Sequence, residues 1–197
     1  LLIPIGALIV AFFRTVIGIP TYGTFTPILL AIAFREVSLI VGIFLLSAIV
    51  IFGWGIRKML DTMKILIIPR LSIIVSLVVM FVLFIMILAF NLNQQQVLYV
   101  SLFPMVIMTW TIERFSVMQI EDGTESALKA AGGTALVSII AYYVMRVHSL
   151  RNYLFAFPEI LFVIIAFLLL LGRYTGIRLV EIRRFIEFRK LYEKKND

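Results

Sequence analysis

Charged side chains inside long apolar runs are the residues of this chain whose types could do chemistry. Arg14 has thirteen uncharged residues before it and twenty after it. Glu113 and Arg114 end a fourth apolar run, and Glu159 begins a sixth. A charge at the centre of a membrane helix costs about 2.5–3.5 kcal/mol on insertion scales, so it is retained in an ion pair or in a binding site. We therefore expect a paired Arg14 and treat all four as candidate site residues, with structural ion pairs as the alternative.

The segment IPTYGTFTP, residues 19–27, interrupts the apolar pattern. Pro20 has no backbone N–H and Gly23 allows a positive φ angle, so both favour the end of a helix. Inside hydrocarbon such an interruption is tolerated only where it packs among helices or lines a wet cavity. The apolar piece that follows, residues 28–34, is too short to span a bilayer. The pattern predicts a helix, a break and a half-helix, as in a re-entrant element.

The half-helix has its own start and stop signals. Pro27 suits a first helical turn, and Thr24 or Thr26 is expected to cap the helix through its hydroxyl. A turn is expected at Arg35 and Glu36. A helix N-terminus that faces a cavity binds an anion or a substrate group through its free amides and its partial positive charge. The alternative is a packed hairpin, or a hydrophobic loop, without a ligand.

The candidate ligand-binding residues share a polar or charged side chain, or a turn glycine, next to an apolar run. They are Arg14, Tyr22, Gly23, Thr24, Thr26, Arg35, Glu36, Glu113, Arg114, Glu159, Arg173, Tyr174 and Arg178.

Catalytic and metal-binding patterns are poor. The chain has no cysteine and one histidine, His148, which follows an apolar run beside Arg146. Neither HExxH nor GxSxG occurs, and no glycine-rich phosphate loop is present. The sequence predicts a protein that is not an enzyme, with no catalytic residues, metal or cofactor.

Composition places the chain among membrane proteins. Hydrophobic residues make up 62% and charged residues 15% of its 197 residues, and the mean hydropathy is +1.10. The predicted fold is an all-α polytopic helical membrane bundle of about six spans plus the broken half-helix. Residues 1–173 form the bundle, and residues 174–197 form a basic amphipathic cytoplasmic tail helix. Spans are predicted at 1–19, 37–56, 71–92, 97–113, 129–147 and 158–173.

Charges between the predicted spans indicate orientation. Fourteen Lys and Arg fall on one side and three on the other, apart from Arg14. Because cytoplasmic segments accumulate such residues, six spans put both termini in the cytoplasm of a bacterium, in a multi-pass inner-membrane protein. Counting residues 28–34 as a span would reverse only the segments before Arg57. The net charge of +7 follows from this topology and does not indicate nucleic acid.

Two further surfaces suggest partners. The basic tail is able to lie against anionic lipid headgroups, or it only fixes the topology. Gly132 and Gly133, with three alanines nearby, form a small-residue surface at which helices approach closely. Its use is packing within the chain or the seam of a homo-oligomer.

Several short motifs carry a resemblance to a known family. In order and spacing the chain resembles the bacterial seven-transmembrane domain usually fused behind an inactive transglutaminase-like domain. The motifs are GTFTP at 23–27, AFRE at 33–36, Pro69-Arg70, FPM at 103–105, IER at 112–114, FPE at 157–159 and GRYTGIRL at 172–179.

The resemblance implies a setting and no catalytic residues. In that family the transglutaminase-like domain is expected outside the cytoplasmic membrane. Typical gene neighbours are an ATP-grasp ligase and a retropepsin-like protease, which implies a role in making, anchoring or exporting a peptide-modified product. Six spans against the family's seven leave two options: a helix lost before Leu1, or the half-helix counted as the seventh.

Two functions follow from these observations. The first is a non-enzymatic membrane domain that anchors a periplasmic transglutaminase-like module and couples it to a cytoplasmic ATP-grasp ligase. The second is a small transporter or flippase-like domain with its substrate site at the broken helix.

Overall fold

Helices make up the regular structure of the chain wherever the computed structural model describes it, which is over residues 2–61, 66–91, 102–173 and 176. The predicted all-α helical bundle is confirmed for these residues. The helices are α1 (Leu2–Phe12), α2 (Phe25–Val37), α3 (Leu39–Asp61), α4 (Ile67–Asn91), α5 (Leu102–Glu121), α6 (Thr124–Arg146), α7 (His148–Ala156) and α8 (Ile160–Gly172). A π-helical turn, Phe13–Ile17, continues α1.

The predicted spans correspond to α1, α3, α4, α5, α6 and α8. The largest difference is α5, which was predicted to end at residue 113 and continues to Glu121. Buried Phe115 and Ser116 keep this extension packed on the bundle. The short helix α7 was not predicted. The predicted tail helix, residues 174–197, lies outside the described residues except for Gly176.

Three helices in the described part of the chain are long and apolar enough to cross a membrane, judged by length and composition. They are residues Leu39–Leu60 of α3, Ile68–Leu88 of α4 and Thr124–Arg146, which is α6. Two shorter apolar helices, Leu2–Ile17 and Ile160–Gly172, lie beside them.

The first helix unwinds before the break. The N–H groups of Gly18 and Ile19 both donate to the carbonyl oxygen of Phe13, at 2.9 and 3.1 Å. Gly18 has φ 90°, a left-handed conformation that costs a glycine little. The wide i to i+5 hydrogen bond from Gly18 to Phe13 and the left-handed conformation of Gly18 together turn the chain out of the helix.

The break is fixed to the surface of α6. The backbone N–H of Tyr22 donates to the Thr134 hydroxyl at 3.0 Å, and the Tyr22 phenol donates to the Ala127 carbonyl at 2.5 Å. Gly133 lies against the carbonyl of Pro20, which occupies the space that a β-carbon would need. The small-residue surface therefore serves packing within the chain at Gly133.

The position of Gly133 sets the depth of the break. It lies nine residues beyond Thr124 in a 23-residue helix, which is roughly 14 Å along an axis of roughly 34 Å. The break thus lies near the middle of α6 and not at its end.

The chain reverses direction at the break. Met145, near the end of α6, lies against Gly6, whereas Gly133 lies against Pro20. The first helix therefore runs antiparallel to α6. After the break, Ile28 packs in one cluster with residues of the second half of α6, so α2 runs back along it.

A second reversal follows α2. The chain turns at Ser38 and not at Arg35 and Glu36 as predicted, because α2 stays helical to Val37. Phe34 packs over Gly42, four residues beyond the turn, so α3 returns toward the start of α6. We call this end the α5–α6 end, and there Arg57 donates to the Gln119 carbonyl at 3.2 Å.

Among the described helices, α1, α3 and α5 thus run toward the α5–α6 end, whereas α2 and α6 run away from it, and α2 is a half-length member. Helix α8 packs along α1 and reaches the π-helical turn.

Gly133→Ala tests the contact that fixes the break. The added β-carbon collides with a backbone carbonyl, and we expect a loss of stability of ~1–3 kcal/mol, the usual cost of overpacking. Thermal unfolding in detergent measures it. Gly132→Ala is the matched control, since nothing lies within 4 Å of a β-carbon there. Equal stability of the two variants would show that the break does not rest on α6.

Candidate functional site

A cleft of about 440 Å³ opens at the break, between the start of α2, the π-helical turn and the second half of α5. It is lined by Arg14, Thr21, Tyr22, Gly23, Thr24, Phe25, Thr26, Trp110, Arg114, Val117, Met118, Glu121 and Asp122. Six of the thirteen candidate residues line it: Arg14, Tyr22, Gly23, Thr24, Thr26 and Arg114.

One face of α5 forms a wall of the cleft. Trp110, Arg114, Val117, Met118 and Glu121 follow one another at intervals of four, three, one and three residues. Residues at such intervals lie on one side of an α-helix. This wall extends eleven residues from Trp110 to Glu121, or roughly 16 Å along the axis.

The N-terminus of α2 forms the inner end. Thr24 is the N-cap residue, and its hydroxyl makes no capping hydrogen bond, so the predicted cap is wrong for Thr24. It has φ −94° and ψ −31°, a helical conformation, whereas a capping side chain needs an extended one. Thr26 lies within the helix, where it cannot cap the start. The first amides of α2 are therefore not capped by a side chain and border the cleft.

Thr26 is the buried polar group of this wall. Its side chain is 3% exposed and lines the cleft. Within the described part of the chain its hydroxyl has no hydrogen-bond partner, whereas the Thr21 hydroxyl donates to the Gly23 carbonyl at 2.8 Å. A hydroxyl in this position is available to a ligand.

Arg14 lies in the π-helical turn, and its exposed side chain lines the cleft. Among the described residues none forms an ion pair or hydrogen bond with it, so the expected paired Arg14 is not found. The wide π-helical turn places this guanidinium beside the cleft instead of beside a neighbouring carboxylate.

Arg114 has an aromatic partner. Its guanidinium carbon lies 4.9 Å from the centre of the Trp110 ring, in a cation–π contact. Trp110 lies one turn earlier in α5, farther from the α5–α6 end. The contact therefore holds the positive charge toward the interior of the cleft and away from Glu121.

The acidic residues lie at the opposite end. Glu121 ends α5 and Asp122 follows in the turn to α6, and both are exposed. The cleft thus has two carboxylates at the α5–α6 end, which we call its mouth, and two guanidinium groups and a helix N-terminus farther from that end, which we call its inner end. Its formal charge sums to zero, but the two signs are separated along its length.

Glu113 points away from this cleft. It lines a second, more apolar groove with Val79, Met105, Val106 and Thr109, and Trp110 borders both cavities. Adjacent residues of a helix differ by about 100° in direction, and here Arg114 lines the first cleft while Glu113 lines the second groove.

The remaining candidates lie elsewhere. Arg35 and Glu36 are exposed at the far end of α2, Glu159 is the N-cap residue of α8, and Arg173 follows its end. Tyr174 and Arg178 lie outside the described residues. Arg35, Glu36, Glu159 and Arg173 therefore lie outside the cleft.

Sequence reasoning missed Thr21, Phe25, Trp110, Val117, Met118, Glu121 and Asp122. The signal for the α5 residues was their helical spacing, which the predicted end of that helix at residue 113 concealed. As to metals, the described residues contain no group of three His, Asp or Glu able to hold an ion.

Comparison with known proteins identifies one family. Residues 1–189 match the family described as seven transmembrane helices usually fused to an inactive transglutaminase. This is the family that the sequence motifs resemble, so that interpretation is confirmed. No curated protein and no solved structure matches the chain.

Single cysteines test whether water reaches the break, since the chain has none of its own. In membrane vesicles we expect a polar maleimide to modify Thr24→Cys from the face that exposes an Asp122→Cys variant. Ser138→Cys is the matched control, because Ser138 is 0% exposed on α6 and stays unmodified. Protection of Thr24→Cys from both faces would show a dry, closed break.

Proposed function

The chain belongs to the family of seven-transmembrane domains usually fused to an inactive transglutaminase, and we propose that it recognises an anionic ligand in the cleft at its broken helix. In this proposal the chain is a multi-pass membrane domain with a transport-type substrate site. The ligand's anionic group is a carboxylate or a phosphate.

The observation that carries the proposal is the convergence of positive charge on the break. Arg14, Arg114 and the uncapped start of α2 border the same cavity. Guanidinium groups bind carboxylate and phosphate through several N–H donors, and a helix N-terminus adds amides and a partial positive charge. Half-helices that end at a substrate site use the same physics in transporters.

The cost of this arrangement supports a binding role. Arg14 lies in an apolar segment that has no described charge partner, and an unpaired charge at membrane depth is expensive. A break in a helix at that depth is tolerated where it lines a water-filled cavity. An anionic ligand in the cleft would offset the cost of the unpaired Arg14 charge and the cost of the helix break.

The orientation of the cleft follows from the basic residues around it. Arg57, Lys58 and Lys129 lie at the α5–α6 end, where the cleft has its mouth. By the positive-inside rule we infer that this end faces the cytoplasm of the inner membrane. The ligand therefore enters from the cytoplasm.

Arginine variants test the proposal. Arg14→Gln and Arg114→Gln should each weaken phosphate binding by about tenfold or more, because hydrogen bonds to charged groups contribute about 1.5–3 kcal/mol. The shift of the unfolding temperature with phosphate concentration reports the affinity. Arg35→Gln is the matched control, since Arg35 is an exposed arginine outside the cleft.

The same titration with sodium chloride at equal ionic strength separates binding from screening. Acetate tests a carboxylate in place of phosphate. The proposal would be contradicted if chloride stabilised the protein as much as phosphate and acetate do. It would also be contradicted if a variant that combines Arg14→Gln and Arg114→Gln bound phosphate as tightly as the unchanged protein.

The family's usual fusion favours a second role, which is to hold an inactive transglutaminase module at the membrane. Gly6 of α1 lies against Met145 near the end of α6, so the start of α1 and the mouth of the cleft lie at opposite ends of the bundle. A module ahead of α1 would then lie outside the cell. In this second role the domain is not an enzyme, in keeping with an inactive fusion partner, and its coupling to an ATP-grasp ligase rests on the resemblance alone.

A folded reporter tests this orientation. When it is fused ahead of residue 1, we expect protease added to intact spheroplasts to digest it, because an odd number of segments separates the two ends. The same reporter after residue 197 should be protected until the membrane is lysed. Protection of both reporters would instead support six spans with both termini inside.

A further inference from the structure

The two signs of charge in the cleft lie at different depths, and we propose that its ligand is a zwitterion with an anionic group at the broken helix and an amine at the mouth. The inference rests on the proposed function, to which it adds the amine and a length. A short peptide with free termini has this chemistry.

The inner end attracts only the anionic group. The Arg114 guanidinium is held over Trp110, one turn farther from the mouth. Arg14 and the start of α2 border the same inner part of the cleft. The described residues of this part include no carboxylate, so a ligand's amine has no partner there.

The mouth attracts the amine. Glu121 and Asp122 are exposed, and no described residue forms an ion pair with either of them. They also stand at the C-terminal end of α5, where the helix dipole favours a cation. Had these carboxylates served only to neutralise the arginines, the four charges would lie in ion pairs.

Thr26 is an independent sign of a ligand at the inner end. Its side chain is 3% exposed, it lines the cleft, and its hydroxyl has no partner among the described residues. A hydroxyl on the wall of a cavity that has no partner in the described part of the chain is free to donate to a group within the cavity. A carboxylate bound at the first amides of α2 would accept this hydrogen bond.

The separation of the charges gives the length of the ligand. Arg114 and Glu121 are seven residues apart on one face of α5, or about 10 Å along the axis. An extended chain spans at most about 3.3–3.6 Å per residue, so three residues bridge this distance. The cavity of about 440 Å³ is within the range of roughly 300–1,000 Å³ that small-molecule sites occupy.

Peptide titrations with Trp110 as the reporter test the inference. The chain has two tryptophans, and Trp54→Phe leaves Trp110 alone, since Trp54 lies on α3 outside the cleft. In this background we expect trialanine to bind about fivefold more tightly than N-acetyl-trialanine, which lacks the amine. Amidation of the C-terminus should weaken binding further, because it removes the carboxylate from the arginines.

The acidic residues are then tested directly. Glu121→Gln with Asp122→Asn should abolish the advantage of free trialanine and leave the affinity for the acetylated peptide unchanged. Glu36→Gln, an exposed glutamate outside the cleft, should retain the advantage. The comparison of trialanine with N-acetyl-trialanine uses the unchanged acidic pair. It therefore tests the inference even if the Glu121→Gln, Asp122→Asn variant does not fold.

The outcomes separate this inference from the proposed function. Equal binding of free and acetylated trialanine, both dependent on Arg14, would overturn the zwitterion and leave the anion site standing. If the unchanged cleft binds neither phosphate, acetate nor either peptide, the anion site and the zwitterion are overturned together.

Discussion

The fold depends on satisfying the backbone of a helix break near the middle of a membrane bundle. Unpaired N–H and C=O groups in hydrocarbon cost several kcal/mol each, so the break persists only where another helix provides partners. Helix α6 does so here: the Thr134 hydroxyl accepts from the backbone N–H of Tyr22, and the Ala127 carbonyl accepts from the Tyr22 phenol. Gly133 lets the chain approach closely enough for these bonds to form. The direction of α2 and the existence of the cleft both follow from this contact.

Local chemistry predicted the break, while its partners could not be predicted. Pro20 and Gly23 act within their own segment, so their effect is visible in any short stretch of sequence. The hydrogen-bond partners of Tyr22 are 112 and 105 residues away along the chain. No periodicity connects positions that far apart. The cap at Thr24 failed for a similar reason, because the backbone angles that decide capping depend on how the break packs.

Helix α5 shows where hydropathy misleads. The apolar run ends near Glu113, and the prediction ended the helix there, but hydropathy reports where apolar residues stop and not where a helix stops. The helix continues because its next turns bury Phe115 and Ser116 on one side. The opposite side then carries Arg114 and Glu121 to the cleft. Four of the thirteen lining residues, Val117, Met118, Glu121 and Asp122, were therefore hidden by one boundary, although the helical spacing of this wall was present in the sequence.

The cleft has its origin in the short length of α2. This helix has 13 residues, or roughly 20 Å, beside an α6 of roughly 34 Å. The missing length is thus roughly 14 Å, close to the roughly 16 Å that the cleft extends along α5. A full-length α2 would fill the cleft with its own first turns. A half-length α2 still reverses the chain, so the bundle keeps its alternation and gains a cavity that begins at a helix N-terminus.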